Sequence, residues 1–159
     1  RLGGLPPITA LAGLREVVAP ASAGLATAAV ALAVVAGLGA AAHGGYDRAN
    51  SLHPPAQSVS GLPSQVDPRG VFTFFVAGLA VAGFSLLIAA TPGLPRGLAA
   101  LGYVTAALLV IVYIARLVIV VPSNPLVAVP GGLVGFIADP VWYAWVGVAL
   151  YRSGGRTRV

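Results

Sequence analysis

Charged groups are scarce in this chain, so each one that falls inside an apolar stretch is a candidate for chemistry. Of 159 residues nine are basic, all of them arginine, and four are acidic. Two of these charges, Arg116 and Asp139, lie within apolar runs that could cross a bilayer. An ionised side chain in hydrocarbon is costly and by default marks a functional group. The first expectation is an intramembrane polar pair: Arg116 and Asp139 would neutralise each other and pin the third apolar run against the fourth. One alternative has Arg116 snorkelling to the headgroups along its own aliphatic stem. Another has it holding an anionic substrate or lipid, with Tyr113, three residues earlier on the same helical face, lining the pocket.

The two histidines fall in His43-Gly44-Gly45-Tyr46-Asp47-Arg48 and Leu52-His53-Pro54-Pro55. His43, Asp47 and His53, with Asp67 further on, are the ligand types that zinc takes. Their spacing in a loop fixes no geometry, and exposed polar loop residues are the alternative reading. A bis-histidine haem would need a second histidine inside a span, and there is none in the sequence. Ser85 and Thr105 are expected to bond to their own helices' carbonyls rather than act as nucleophiles. The chain has no cysteine, which excludes disulfides, thiol catalysis and thiolate metal sites. No His-Glu metalloprotease motif, GxSxG elbow or phosphate-binding glycine loop is present. No catalytic residue is singled out and no cofactor is expected; the pattern leans away from an enzyme without deciding against one.

These residues must be positioned by helices. With a mean hydropathy of +0.93 and only 8% charged residues, the chain could not cover itself with polar surface in water, where about a quarter of residues are usually charged. Lipid solvates such an exterior directly. The expectation is an all-α integral membrane protein, a four-transmembrane-helix bundle forming one membrane domain over residues 1–159. At about 20 apolar residues per crossing, the spans read as roughly 17–42, 71–91, 98–121 and 131–151, with a longer outer loop over 43–70. Pro20 would sit in the first turn of the first span, where a missing N–H costs little. Ala40-Ala41-Ala42 before His43 resembles a signal-peptidase site, but the apolar run is too long for a signal core and reads as a retained helix. The absence of an initiating Met is expected of a processed or trimmed chain.

The fourth span holds an ambiguity. Asp139-Pro140 reads either as the cap and first residue of a short helix, leaving 126–138 re-entrant, or as an interruption inside a longer one starting near Gly131. The longer, kinked span is preferred because Val141–Tyr151 alone is too short to cross. Residues 1–16 read either as a short interfacial helix or as an irregular leader broken by Pro6-Pro7.

Arginine counting places Arg1, Arg15, Arg96, Arg152, Arg156 and Arg158 on one side and Arg48 and Arg69 on the other. That predicts both termini in the cytoplasm, N-in and C-in. Phe72, Phe74, Phe75, Trp142, Tyr143 and Trp145 are expected near the outer interface. Composition rich in Ala, Gly, Val, Pro and Arg without Lys points to a GC-rich bacterial coding sequence, hence to a bacterial plasma membrane.

Small residues recur at four-residue spacing in Ala29, Ala33, Gly37 and Ala41, with Gly78, Ala82 and Gly83 in the second span. Such ridges let helices approach closely, within the chain, against a protein partner or in a homo-oligomer. The positive charge is read as membrane anchoring, with the lipid bilayer as partner and no nucleic acid. Three function classes follow: a non-catalytic accessory or anchoring subunit of a larger complex, favoured by the poverty of intramembrane polar groups; a small transporter or channel protomer with Arg116 and Asp139 at the pathway; and a lipid- or quinone-binding membrane enzyme using the outer-loop histidines.

Overall fold

A computed structural model of the chain describes residues 5–52, 71–119 and 123–154. Every regular element among them is helical. Helix α1 is Leu5–Val18 and α2 is Ala23–Leu52. A π-helical turn, Val71–Val76, leads into α3, Ala77–Ala90. Helix α4 is Arg96–Val118. Helix α5, Pro125–Leu133, passes through a second π turn, Val134–Ala138, into α6, Asp139–Gly154. Four helical stretches are long and apolar enough to cross a membrane: Ala23–Gly45, Thr73–Ala90, Arg96–Val118 and Pro125–Ser153.

The boundaries depart from expectation where proline and capping chemistry intervene. Residues 5–18 form a helix, with Pro6 and Pro7 in its first turn, where no intrahelical donor is required. Pro20 does not open the first span. It lies in the break between α1 and α2, where Ala21 N–H donates to the Val18 carbonyl at 3.0 Å. Ser22 then starts α2, its Oγ accepting from Leu25 N–H at 3.4 Å. Helix α2 continues past the expected end at residue 42 to Leu52, 30 residues in all. That is about 45 Å of helix, longer than the roughly 30 Å that a crossing needs, and its apolar stretch ends at Gly45.

Helix α3 is the centre of the bundle. One side packs on α4 through Gly78: an added Cβ there would lie 3.1 Å from Val110 Cγ2 and 3.2 Å from the Ala106 carbonyl oxygen. The other side packs on α2 through Gly83, whose added Cβ would lie 3.3 Å from Ala29 Cβ. The small-residue stripe of α2 therefore works within the chain. Its buried line is Ala26, Ala29 and Ala36, with Ala33 packed against the same core. Steps of three and four keep this line on one face of a 3.6-residue helix, whereas a strict four-residue ridge drifts off it, and Ala41 is exposed. Gly37 is half-buried.

Helices α3 and α4 form the expected antiparallel hairpin. Thr91-Pro92-Gly93-Leu94 makes the turn: Gly93 has φ +89° and Leu94 N–H donates to the Thr91 carbonyl. Proline second and a left-handed glycine third is the type II pattern. Helix α1 buries Leu11, Leu14 and Val18 against α2 and α6, and Gly13 lies over Leu150. It is docked into one end of the bundle rather than lying free at an interface. Arg15 joins it to α2, donating to Glu16 at 2.6 Å and to Thr27 Oγ1 at 3.5 Å.

Candidate functional site

The fourth long helix positions the candidate site, and its starting point decides what meets what. Of two Asx-Pro pairs, Asn124-Pro125 is the helix start: Asn124 Oδ1 accepts from Leu126 N–H at 3.0 Å and Pro125 takes the first turn. Asp139 has φ −67° and ψ −51°, inside the helix and not a cap. The longer reading of this span is therefore the right one, but it begins six residues before Gly131. Asp139 becomes the central residue of the 29-residue stretch Pro125–Ser153.

Close contacts set the register of α4 against α6. A Cβ on Gly97 would lie 2.9 Å from the Trp145 ring. A Cβ on Gly102 would come under 3.0 Å from both Ser85 Oγ and Trp142 Nε1. Counting back three residues from Trp142, in antiparallel helices, puts Asp139 level with Thr105. Arg116 lies eleven residues beyond Thr105, about 16 Å of helix. It is in the last turn of α4, two residues from the end. Accordingly, among the described residues the ion pair formed is Arg15–Glu16, and no contact joins Arg116 to Asp139. An arginine in the last turn complements the helix dipole, with its headgroup at the end of the apolar zone.

Tyr113 turns to the π turn that leads into α3: its ring packs on Phe75 at a centroid distance of 4.9 Å. The early start of the fourth helix also places Trp142, Tyr143 and Trp145 in its second half, rather than at the end where the sequence pattern put them. Trp145 packs on Gly97, one residue from Arg96, at the opposite end from the Phe75–Tyr113 pair.

Asp139 is left half-buried at the midpoint of its helix. Among the described residues no cationic side chain pairs with it. Tyr143 follows one turn on along the same helix. Two backbone features adjoin the carboxyl. The π turn Val134–Ala138 ends at it, Asp139 N–H donating to the Val134 carbonyl. Pro140 has no N–H, so the carbonyl one turn earlier (Phe136 in an α register, Gly135 in a π register) lacks its intrahelical donor. Gly135 has open space beside it and Phe136 is 87% exposed. A carboxyl and a carbonyl without its helical donor thus lie within one turn of each other along the chain, halfway along an apolar helix, and oxygens of these types can take a proton or a small cation.

The histidine cluster is not assembled. His43 and Asp47 fall on α2, four residues apart, and not in a loop. His53 and Asp67 lie outside the described residues. Among the described residues no group of three metal-ligand side chains converges.

Sequence reasoning missed a polar junction of three helices. Ser85 of α3 and Trp142 of α6 are both fully buried and meet over Gly102 of α4. Ser85 Oγ donates to the Val81 carbonyl at 2.7 Å, and Thr105 Oγ1 to the Leu101 carbonyl at 2.9 Å, as expected of helix hydroxyls. The Trp142 indole N–H is buried without an acceptor. No family model matches this chain, and neither a similar curated protein nor a similar solved structure is found, so the functional reading stands on the chemistry of these residues.

Proposed function

We propose that the chain is a multi-pass membrane protein acting as a small transporter protomer, with Asp139 as the group that takes up and releases a proton. The observation that carries this reading is the central place of Asp139 in a 29-residue apolar helix, with no cationic partner among the described residues. In a bilayer about 30 Å thick that place is near the midplane. A fixed carboxylate there costs about 2.5–3.5 kcal/mol on insertion scales. The neutral acid avoids most of that cost, so protonation and deprotonation are coupled to the group's surroundings. The π turn and Pro140 support the same reading, because irregular backbone frees carbonyl oxygens that can share the proton or a cation. Arg116 stands outside this pathway, at the helix end.

Reconstitution into vesicles tests the proposal. An imposed potential should drive proton uptake in the wild-type protein, Asp139→Asn should abolish it, and Asp139→Glu should retain part of it. Sodium and potassium gradients form parallel arms. Uptake that is equal in Asp139→Asn and wild type defeats the reading.

A second reading, an anchoring subunit of a larger complex, is favoured by the exposed face around Gly135, Phe136 and Pro140. Lipid offers no hydrogen-bond donor to the freed carbonyl, whereas a partner helix could. Native mass spectrometry of protein extracted from its own membrane separates the two readings. In either case the end bearing Arg15, Arg96 and Arg152 is placed in the cytoplasm by the positive-inside bias, with Arg48 and Arg116 at the other end.

A further inference from the structure

We infer that a cleft at the Arg152 end of the bundle binds a phosphate group. The cleft has a volume of about 150 Å³ and is lined by Gly93, Leu94 and Pro95 of the α3–α4 turn and by Ala149, Arg152 and Ser153 of α6. Its floor is fixed. Gly93 is held in the left-handed region by the type II turn, Leu94 packs against the core, and Ala149 is buried. Arg152, which also lines it, is an exposed side chain that forms no ion pair among the described residues. Arg96, which follows Pro95 directly, adds a second cation to the same end.

The chemistry selects the ligand. A cavity floored by apolar and backbone atoms with an arginine in its lining suits a tetrahedral oxyanion, because the planar fork donates to two oxygens at once. Its place at the end of four apolar helices puts it at headgroup depth. Basic pockets between transmembrane helices at that level hold phospholipid headgroups. A phosphate from solution would offer the same oxygens. The inference is independent of Asp139, which lies on the far side of Trp142 and Trp145 along α6.

Native mass spectrometry of the detergent-solubilised protein, titrated with phosphatidylglycerol or phosphatidylcholine and separately with inorganic phosphate, reads the site. Arg152→Ala should weaken the phosphate-dependent adduct about fivefold, the equivalent of about 1 kcal/mol for one arginine near the surface. Ser153→Leu, which fills the cleft and leaves the charge in place, should weaken it as well. Arg48→Ala, at the opposite end, should leave it unchanged. Displacement of lipid adducts by millimolar phosphate identifies a soluble source, and persistence of phosphatidylglycerol adducts through it identifies the lipid. Equal adducts in wild type, Arg152→Ala and Ser153→Leu overturn the inference, as does an equal loss in Arg48→Ala.

Discussion

Gly102→Ala is the substitution that most directly probes how the helices are aligned. The added methyl would come under 3.0 Å from Ser85 Oγ and Trp142 Nε1, and to 3.3 Å from Ser85 Cβ. Neither neighbour has room to retreat, since both side chains are fully buried. Ser85 could rotate only by giving up its 2.7 Å bond to the Val81 carbonyl, a net loss of about 1 kcal/mol. The indole would have to shift as a rigid plate. Overpacking of this kind costs about 1–3 kcal/mol, against a gain of about 1 kcal/mol for alanine over glycine in a helix. The expected net destabilisation is about 1–3 kcal/mol, measured by reversible unfolding in mixed detergent micelles. Gly147→Ala is the control, because nothing lies within 4 Å of its added methyl, and it should be neutral or slightly stabilising. Ser85→Ala combined with Gly102→Ala should recover part of the loss. A Gly102→Ala protein as stable as Gly147→Ala would refute the alignment of residues 102 and 142, and with it the placing of Asp139 level with Thr105.

Gly93→Ala meets no atom within 4 Å, so its effect is purely conformational; the left-handed φ should cost about 1–2 kcal/mol, with Gly93→Asn losing less in the same unfolding assay. Arg116→Ala and Asp139→Ala should be additive within about 0.5 kcal/mol, because the two side chains are far apart along the bundle. A coupling energy above that in a double-mutant cycle would restore the ion pair.

Much of the layout was legible because long apolar runs admit few alternatives. The second and third spans and their hairpin turn lie within a few residues of where hydropathy and Thr91-Pro92-Gly93 put them. The fourth span was harder for a specific reason. The chain offers two Asx-Pro starts, Asn124-Pro125 and Asp139-Pro140, and both obey the same capping rule. The first forms the cap. The second is absorbed by a π turn, which shifts the hydrogen-bond register ahead of a proline that cannot donate. That choice put Trp145 at the Arg96 end, apart from Phe75, and separated Arg116 from Asp139. The Ser85–Gly102–Trp142 junction had no local signal at all. A buried serine, a glycine and a tryptophan become one site only through the lateral alignment of three helices, and no spacing within one helix encodes that. Asp139 itself was legible as an intramembrane charge, while its lack of a counter-ion was not.

The docking of α1 has a consequence for how the chain is made. Leu11, Leu14 and Val18 leave the ribosome before the four long apolar helices described here, yet part of the surface that buries them is α6, where Gly13 meets Leu150. Those partners follow more than a hundred residues later in the chain. Until α6 is in place, this stripe has only α2 to lean on. A loop of well over a hundred residues closes when the two ends meet, and contacts that distant in sequence form late. Helix α1 precedes the four long apolar helices in the chain yet is completed only with the last of them, so its docking marks the point at which the bundle has closed.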